Sequence, residues 1–147
     1  MKITILTVMP QLFDSFLKNK AYAAAEVVDI RDYTKGSFRD IDDSPYGGGP
    51  GMILRVDALM RALNAVKTKD AHIVLLSPRG TPYNKETAER LSQKQHLILV
   101  CGHYEGVDER FLSYVDEEIS VGDYILTGGE LPAMLVTDSI LSLQERK

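Results

Sequence analysis

His72-Ile73-Val74-Leu75-Leu76-Ser77-Pro78-Arg79-Gly80 is the stretch on which the reading of the chain turns. Its first half is a continuous apolar run of the kind that suits a parallel strand covered on both faces. Its second half is a turn built from Ser, Pro and Gly. Leu97-Ile98-Leu99-Val100 repeats the pattern and discharges into Cys101-Gly102, and residues 3–8, 27–30 and 116–120 read as three further strands. Helical patterns alternate with them. Residues 11–26 hold helical material, and residues 54–66 carry helical spacing at Leu54, Ala58, Leu59, Ala62 and Leu63. Asn84 can cap a helix over residues 84–95, and a last helix over residues 130–144 tolerates Pro132 in its first turn. The expected fold class is α/β, a mainly parallel sheet flanked by helices.

In open parallel sheets, ligands bind outside the carboxyl ends of strands. Here the ends at Leu76, Val100 and Ser120 each enter a loop rich in Gly, Pro or Ser, so the three loops are expected to meet at one site. Two of them are Cys101-Gly102-His103-Tyr104-Glu105-Gly106-Val107-Asp108-Glu109-Arg110 and Val121-Gly122-Asp123-Tyr124-Ile125-Leu126-Thr127-Gly128-Gly129-Glu130. Glycine lets main chain approach a ligand with no Cβ in the way, so such loops wrap something small and flat, or something charged.

Composition sets the outer bounds. A chain of 147 residues with 44% hydrophobic content can bury one good core, and one domain is expected. No apolar stretch reaches the roughly 18 to 20 residues of a membrane span, so no membrane partner is expected. The opening Met1-Lys2-Ile3-Thr4-Ile5-Leu6-Thr7-Val8-Met9-Pro10 is too short and too alternating for a secretory signal. Cys101 is the sole cysteine, which excludes an internal disulfide and favours a cytoplasmic setting; at a strand end it reads as a buried, inert thiol. The net charge of −4 lacks the electrostatic footprint of a general nucleic-acid binder. If RNA is a partner, the positive surface must be local or supplied from outside these residues.

Several motifs are weighed and set aside. The P-loop pattern is absent, and no G-x-G-x-x-G follows the first strand. The long polar stretch over residues 31–52 holds Asp40, Asp42 and Asp43 and then Gly47 to Gly51, a turn or lid, or amides for a phosphate less the donor that Pro50 removes. His72, His96 and His103 are scattered without metal-ligand spacing, so no protein-bound metal is expected. Ser77, His103 and Asp108 can be assembled into a triad on paper, but no nucleophile elbow surrounds any serine. Within the glycine loop, Glu105 could accept hydrogen bonds from a base edge and Tyr104 could pack on a planar group. Glu105 and Asp108 fit a solvated turn equally well, Tyr124 could be core, and Arg79 and Arg110 could be plain surface charges.

Three motifs then stand together: Ser44-Pro45-Tyr46-Gly47-Gly48-Gly49-Pro50-Gly51-Met52, the loop from Cys101 to Arg110, and Gly122-Asp123-Tyr124-Ile125-Leu126-Thr127-Gly128-Gly129-Glu130-Leu131-Pro132-Ala133-Met134. In this order they closely resemble the bacterial tRNA (guanine-N1)-methyltransferases, which modify the guanosine 3′ of the anticodon (position 37), and the resemblance covers nearly the whole chain. It implies the knotted (SPOUT-type) fold, with a deep trefoil knot in the C-terminal part, one of the rare exceptions to unknotted chains. It implies S-adenosylmethionine as cofactor, held mostly by main chain at Leu76, Ser77 and Pro78, at Gly102, Tyr104 and Gly106, and at Val121, Gly122, Asp123, Tyr124, Ile125, Leu126, Gly128, Gly129 and Pro132. Glu105 corresponds to the catalytic residue that contacts the target guanine, and Asp43, Tyr46 and Arg110 to substrate-binding positions. The partners implied are tRNA and a second copy in a homodimer. A Mg2+ ion is implied by the resemblance alone and could ride on the RNA.

Where the chain departs from the pattern, the expectations narrow. Family members continue with a linker that carries the usual general base and with a small helical tRNA-binding domain, whereas this sequence stops at Lys147. Ser142 stands where the last helix normally carries an arginine, and residues 18–26 form a stretch about ten residues shorter than usual. These departures read as a catalytic-domain fragment, residues 1–147, that binds the cofactor but methylates tRNA weakly or not at all. The competing readings are another knotted RNA methyltransferase, acting on a ribose hydroxyl or another base, and a non-catalytic cofactor-binding or dimerisation module.

Overall fold

The computed structural model describes residues 1–33, 56–102 and 107–145. Strands β1 (Lys2–Thr7), β2 (Ala25–Asp29), β3 (Ala71–Pro82), β4 (His96–Cys101) and β5 (Glu117–Ser120) form one sheet in the order β2-β1-β4-β3-β5, with every pairing parallel. Around it lie helices α1 (Asp14–Leu17), α2 (Val56–Val66), α3 (Lys85–Leu91) and α4 (Glu130–Glu145).

The apolar runs of β3 and β4 occupy the middle of this sheet for the reason their composition suggests. All six residues of β4 are buried. Side chains alternate along a strand, so Leu97, Leu99 and Cys101 join Ile3, Ile5, Val74 and Leu76 on one face, under Leu91, Ala133, Val136 and Ile140 of α3 and α4. Ile98 and Val100 join Leu6, Ile73 and Leu75 on the other face, under Leu59, Ala62 and Leu63 of α2. Burying each such side chain is worth about 1.5–3 kcal/mol, and a strand with no polar side can sit only between two helical layers.

Three expectations shift in detail. Residues 11–26 do not form one helix: a 3-10 turn (Pro10–Phe13), the single turn of α1 and a second 3-10 turn (Lys20–Tyr22) take their place, and β2 starts at Ala25. The Asn19 side chain accepts a hydrogen bond from the Ala21 amide, drawing the backbone out of the helix there. The α3 helix begins after Asn84, whose side chain accepts from the Thr87 amide, but it ends at Leu91 rather than near Gln95. The Ser92 hydroxyl donates to the Glu89 carbonyl and the next two amides turn back to Arg90 and Leu91, which closes the helix early.

The third shift bears on the site. Instead of stopping at Leu76, β3 makes a four-residue excursion over residues 77–80 and rejoins β5, so that Leu76 and Thr81 both lie opposite Ile119. Gly80 makes the return fit: a Cβ there would stand 2.4 Å from the Ile119 nitrogen. Only glycine allows two backbones this close.

Candidate functional site

The excursion leaves the carboxyl end of β3 beside those of β4 and β5, where residues from all three strand ends surround a single cleft. Leu76, Ser77 and Pro78 form one side, Gly102 the floor, and Ile119, Ser120, Val121, Gly122, Tyr124, Leu126, Gly128, Gly129 and Pro132 the remainder. The cleft is open to solvent along one side, and its enclosed space is small.

The loop over residues 121–129 is pinned to the sheet at its far end. The Gly129 amide donates to the Gly102 carbonyl at 2.8 Å, and a Cβ at Gly129 would lie 2.9 Å from the Cys101 Cα. Behind this contact, at the start of α4, the buried Glu130 carboxylate accepts a hydrogen bond from the Thr7 hydroxyl at 2.8 Å. That bond ties the end of β1 to the first residue of α4. Cys101 lies in the same interior, where burial and the nearby Glu130 carboxylate push its thiol well above the ordinary pKa, so it stays a protonated core residue.

Polar side chains on the cleft are largely committed to their own turns. The Ser77 hydroxyl accepts from the Arg79 amide, and the Ser120 hydroxyl both accepts from the Gly122 amide and donates to the Gly122 carbonyl. What the cleft offers a ligand is therefore apolar walls, Leu76, Ile119, Leu126 and Pro132, edged by main chain. Such a surface suits a flat ring recognised along its polar edge.

Of the positions expected to bind a cofactor, Leu76, Ser77, Pro78, Gly102, Val121, Gly122, Tyr124, Leu126, Gly128, Gly129 and Pro132 all line the cleft. Asp123 and Ile125 share the loop without lining it, and the Ile125 side chain is 99% exposed. Tyr124 is a rim residue, 65% exposed, not a core residue. Tyr104, Gly106 and Glu105, with Asp43 and Tyr46, lie outside the described residues. Arg110 is exposed and grips Asp108, its Nε donating to Oδ1 at 3.0 Å. That side-chain bond, followed by the one from the Arg110 amide, lowers the Asp108 carboxyl to a pKa of about 2. Asp108 also caps the 3-10 helix Glu109–Tyr114, which removes it from any triad with Ser77. Sequence reasoning placed the strand end at Ser120 but missed Ile119, Thr7 and the role of Glu130. Ile119 could have been found by extending the Val121 loop back into its strand, whereas the Thr7–Glu130 bond spans 123 positions and leaves no local signal.

With the site in view, the relatives can be set beside it. The family described as "tRNA (Guanine-1)-methyltransferase TrmD" matches over residues 1–145. A protein of Malacoplasma penetrans named tRNA (guanine-N(1)-)-methyltransferase is 46% identical over 151 residues, covering 97% of this chain and 67% of that protein. Proteins of the same name from Dictyoglomus turgidum and Carboxydothermus hydrogenoformans are 44% and 45% identical over 97% of this chain, covering 62% and 60% of their own lengths. The chain thus spans between three-fifths and two-thirds of these curated relatives. An alignment of 151 residues exceeds the 147 of the chain, so the relative from Malacoplasma penetrans carries residues without a counterpart here. A family match over 145 of 147 residues, together with these identities, establishes membership: the chain belongs to the tRNA (guanine-1)-methyltransferase family.

Proposed function

We propose that this chain is the catalytic domain of an enzyme that transfers a methyl group from S-adenosylmethionine to N1 of the guanosine 3′ of the anticodon in tRNA. The observation that carries the reading is the meeting of three strand-end loops around one main-chain-edged cleft, in a member of a family so named. The cleft fits the cofactor's nucleoside in kind. Leu76, Ile119, Leu126 and Pro132 supply apolar faces for a purine, and the peptide groups of residues 121–128 supply its hydrogen-bonding edge. The cofactor, when bound, supplies a methyl group already activated on a sulfonium, which leaves the protein to provide placement and proton removal.

Guanine N1 carries a proton near neutral pH and is a poor nucleophile until it loses it. A carboxylate acceptor facing the base is required, with donors for the negative charge that develops on O6. Glu105, between Gly102 and Val107 in the sequence, is the residue we assign to face the base, with Asp43, Tyr46 and Arg110 on the substrate side. The trefoil knot belongs to the same proposal. It is supported by the tight return of β3 past β5 at Gly80 and by the seating of residues 128–129 against the end of β4. So does the homodimer: Leu131 and Leu135, one turn apart on α4, and Met9 and Leu12, just beyond β1, remain substantially exposed, as residues at an interface between copies would. Among the described residues no helix is long and apolar enough to cross a membrane. A cytoplasmic setting, with tRNA as partner, completes the reading.

The test has two parts. Calorimetry should show stoichiometric binding of S-adenosylmethionine to the chain. A methyl-transfer assay on tRNA with guanosine at position 37, run on the chain and on a version extended by the remaining length of a relative, should then yield N1-methylguanosine. Glu105→Gln in the extended protein should slow transfer roughly tenfold or more with cofactor affinity nearly unchanged. Methylation of a ribose hydroxyl or of another base would replace this reading with that of a different knotted methyltransferase. Absence of cofactor binding would end it.

A further inference from the structure

Among the described residues the lining of the cleft holds no Asp, Glu, Lys, Arg or His, yet the ligand assigned to it carries a fixed positive charge on sulfur. A carboxylate stands directly behind that uncharged lining. A Cβ placed on Gly128, a cleft residue, would lie 2.6 Å from Glu130 Oε1 and 2.9 Å from the Gly102 carbonyl oxygen. The Glu130 side chain thus fills the space that a side chain at Gly128 would take, one residue's main chain away from the cleft.

Glu130 is 7% exposed, and no Lys or Arg among the described residues pairs with it. It accepts from the Thr7 hydroxyl, which itself accepts from the Met9 amide, so the hydroxyl proton is directed at the carboxylate. Its place as first residue of α4, where helix amides favour negative charge, adds to this. A buried carboxylate without a cation is still costly, and a ligand that brings positive charge to the cleft offsets that cost. The charge is felt around it: burial first, and then Glu130, push the Cys101 thiol up.

We propose that Glu130 supplies the counter-charge by which the cleft distinguishes a sulfonium from a neutral thioether, that is, the cofactor before methyl transfer from the cofactor after it. This rests on the cofactor reading above and deepens it. The attraction acts through space, and it is felt over about 10 Å because protein rather than water lies between. Transfer of the methyl group leaves the sulfur neutral, so the attraction lapses and the spent cofactor is held less well relative to the fresh one. Asp123, exposed on the same loop, is screened by solvent and does not share the role.

Calorimetry with S-adenosylmethionine and with S-adenosylhomocysteine, on wild type and variants, gives the ratio of the two affinities for each protein. Glu130→Gln keeps the size of the side chain and an oxygen for Thr7. It should shift the ratio about fivefold against S-adenosylmethionine, and retained binding of S-adenosylhomocysteine shows that it folds. Glu130→Met, of similar volume and without charge, takes its place should the amide not fold. Glu130→Asp, which keeps the charge, and Asp123→Asn should each leave the ratio within about twofold of wild type. A residue that merely braced the loop would weaken both ligands equally and leave the ratio unmoved. Salt raised from about 0.05 to about 0.5 M should leave the wild-type ratio unchanged, as a buried charge requires. An unmoved ratio in the uncharged variants, an equal shift in Asp123→Asn, or a wild-type ratio that turns against S-adenosylmethionine as salt rises would each overturn the inference and leave the cofactor reading standing. Failure of the wild type to bind either ligand would overturn both.

Discussion

At the amino-terminal ends of its strands the sheet is closed by side chains, and at the carboxyl ends by main chain. At the amino end, the buried His96 ring bonds the Thr4 hydroxyl at 2.9 Å and the Thr68 hydroxyl at 2.7 Å, and the Thr4 hydroxyl donates a hydrogen bond to Glu26. Alongside, Glu117 receives both Arg90 terminal nitrogens at 2.8 Å and a bond from His72, while Asp116 accepts from the Ile73 amide. These polar groups are consumed by one another. At the carboxyl end, turns are fixed by serine and glycine, and Tyr124 and Ile125 stand in solvent. A protein that uses its side-chain hydrogen bonds at one end and leaves backbone at the other has divided stability from recognition along a single sheet.

The largest effect that would break this division comes from Gly129→Val. The valine Cβ meets the Cys101 Cα and Gly102 nitrogen at 2.9 and 3.0 Å, both backbone atoms that cannot turn away. The loop must lift off β4, losing the Gly129–Gly102 hydrogen bond and opening the cleft. We expect a loss of about 3 kcal/mol in unfolding free energy and a fall of more than tenfold in S-adenosylmethionine affinity, measured by urea titration and calorimetry. The clash is with the protein's own chain, so the damage should be as clear without ligand as with it. A variant with wild-type stability and affinity would remove the loop from the site.

His96→Ala tests the other end. Burial, and after it the charge of Lys2, lowers the ring's pKa below its ordinary value, which keeps it neutral between its two threonines. Removing it takes the ring's bond from the buried Thr4 hydroxyl and leaves a cavity, a cost of about 2 kcal/mol. Cofactor affinity should stay within about twofold of wild type. An affinity loss matching that of Gly129→Val would mean that the two ends are coupled and that the contrast drawn here is false.

The same contrast explains which parts of the molecule were legible in the sequence. Residues 72–76 and 97–100 read as buried parallel strands because an unbroken apolar run has no water-facing side, a property visible in composition alone. Asn84 and the start of α4 were legible because capping is local chemistry. Residues 11–26 were not, since a short segment with Phe13, Phe16 and Tyr22 docked on the sheet looks helical in pattern but is shaped by what it packs against. The continuation of β3 to Pro82 was hidden for a related reason: Ser77-Pro78-Arg79-Gly80 carries every mark of a turn, and only pairing with β5 reveals that the chain returns. The loops of the cleft were found as glycine-rich strand ends. Their pinning by Thr7 and Glu130 depends on positions far apart in sequence that only the fold brings together.

The smallest effect concerns Glu117 and acid. Its bonds from Arg90, and with them the bond from His72, hold its pKa at about 2 against the opposing pull of burial, below the value near 4.3 of a free glutamate. A carboxyl whose pKa is depressed by folding adds stability that is complete above the unfolded value and is lost as pH falls through the folded one. The contribution should therefore be full at neutral pH, begin to fade below about 4.5 and vanish near 2. Arg90 is half exposed, so solvent screening trims the worth of the cluster to about 1 kcal/mol. Urea midpoints of wild type and Glu117→Gln should differ by that amount at pH 7 and converge as the solution is taken toward pH 2. Because Glu117, His72 and Arg90 line no part of the cleft, although Glu117 stands only two residues before Ile119, cofactor affinity at pH 7 should change by no more than about twofold. A gap between the two proteins that widens in acid would mean that Glu117 is held in its neutral form, and the amino-terminal end would then not be the satisfied, charge-paired edge on which the comparison depends.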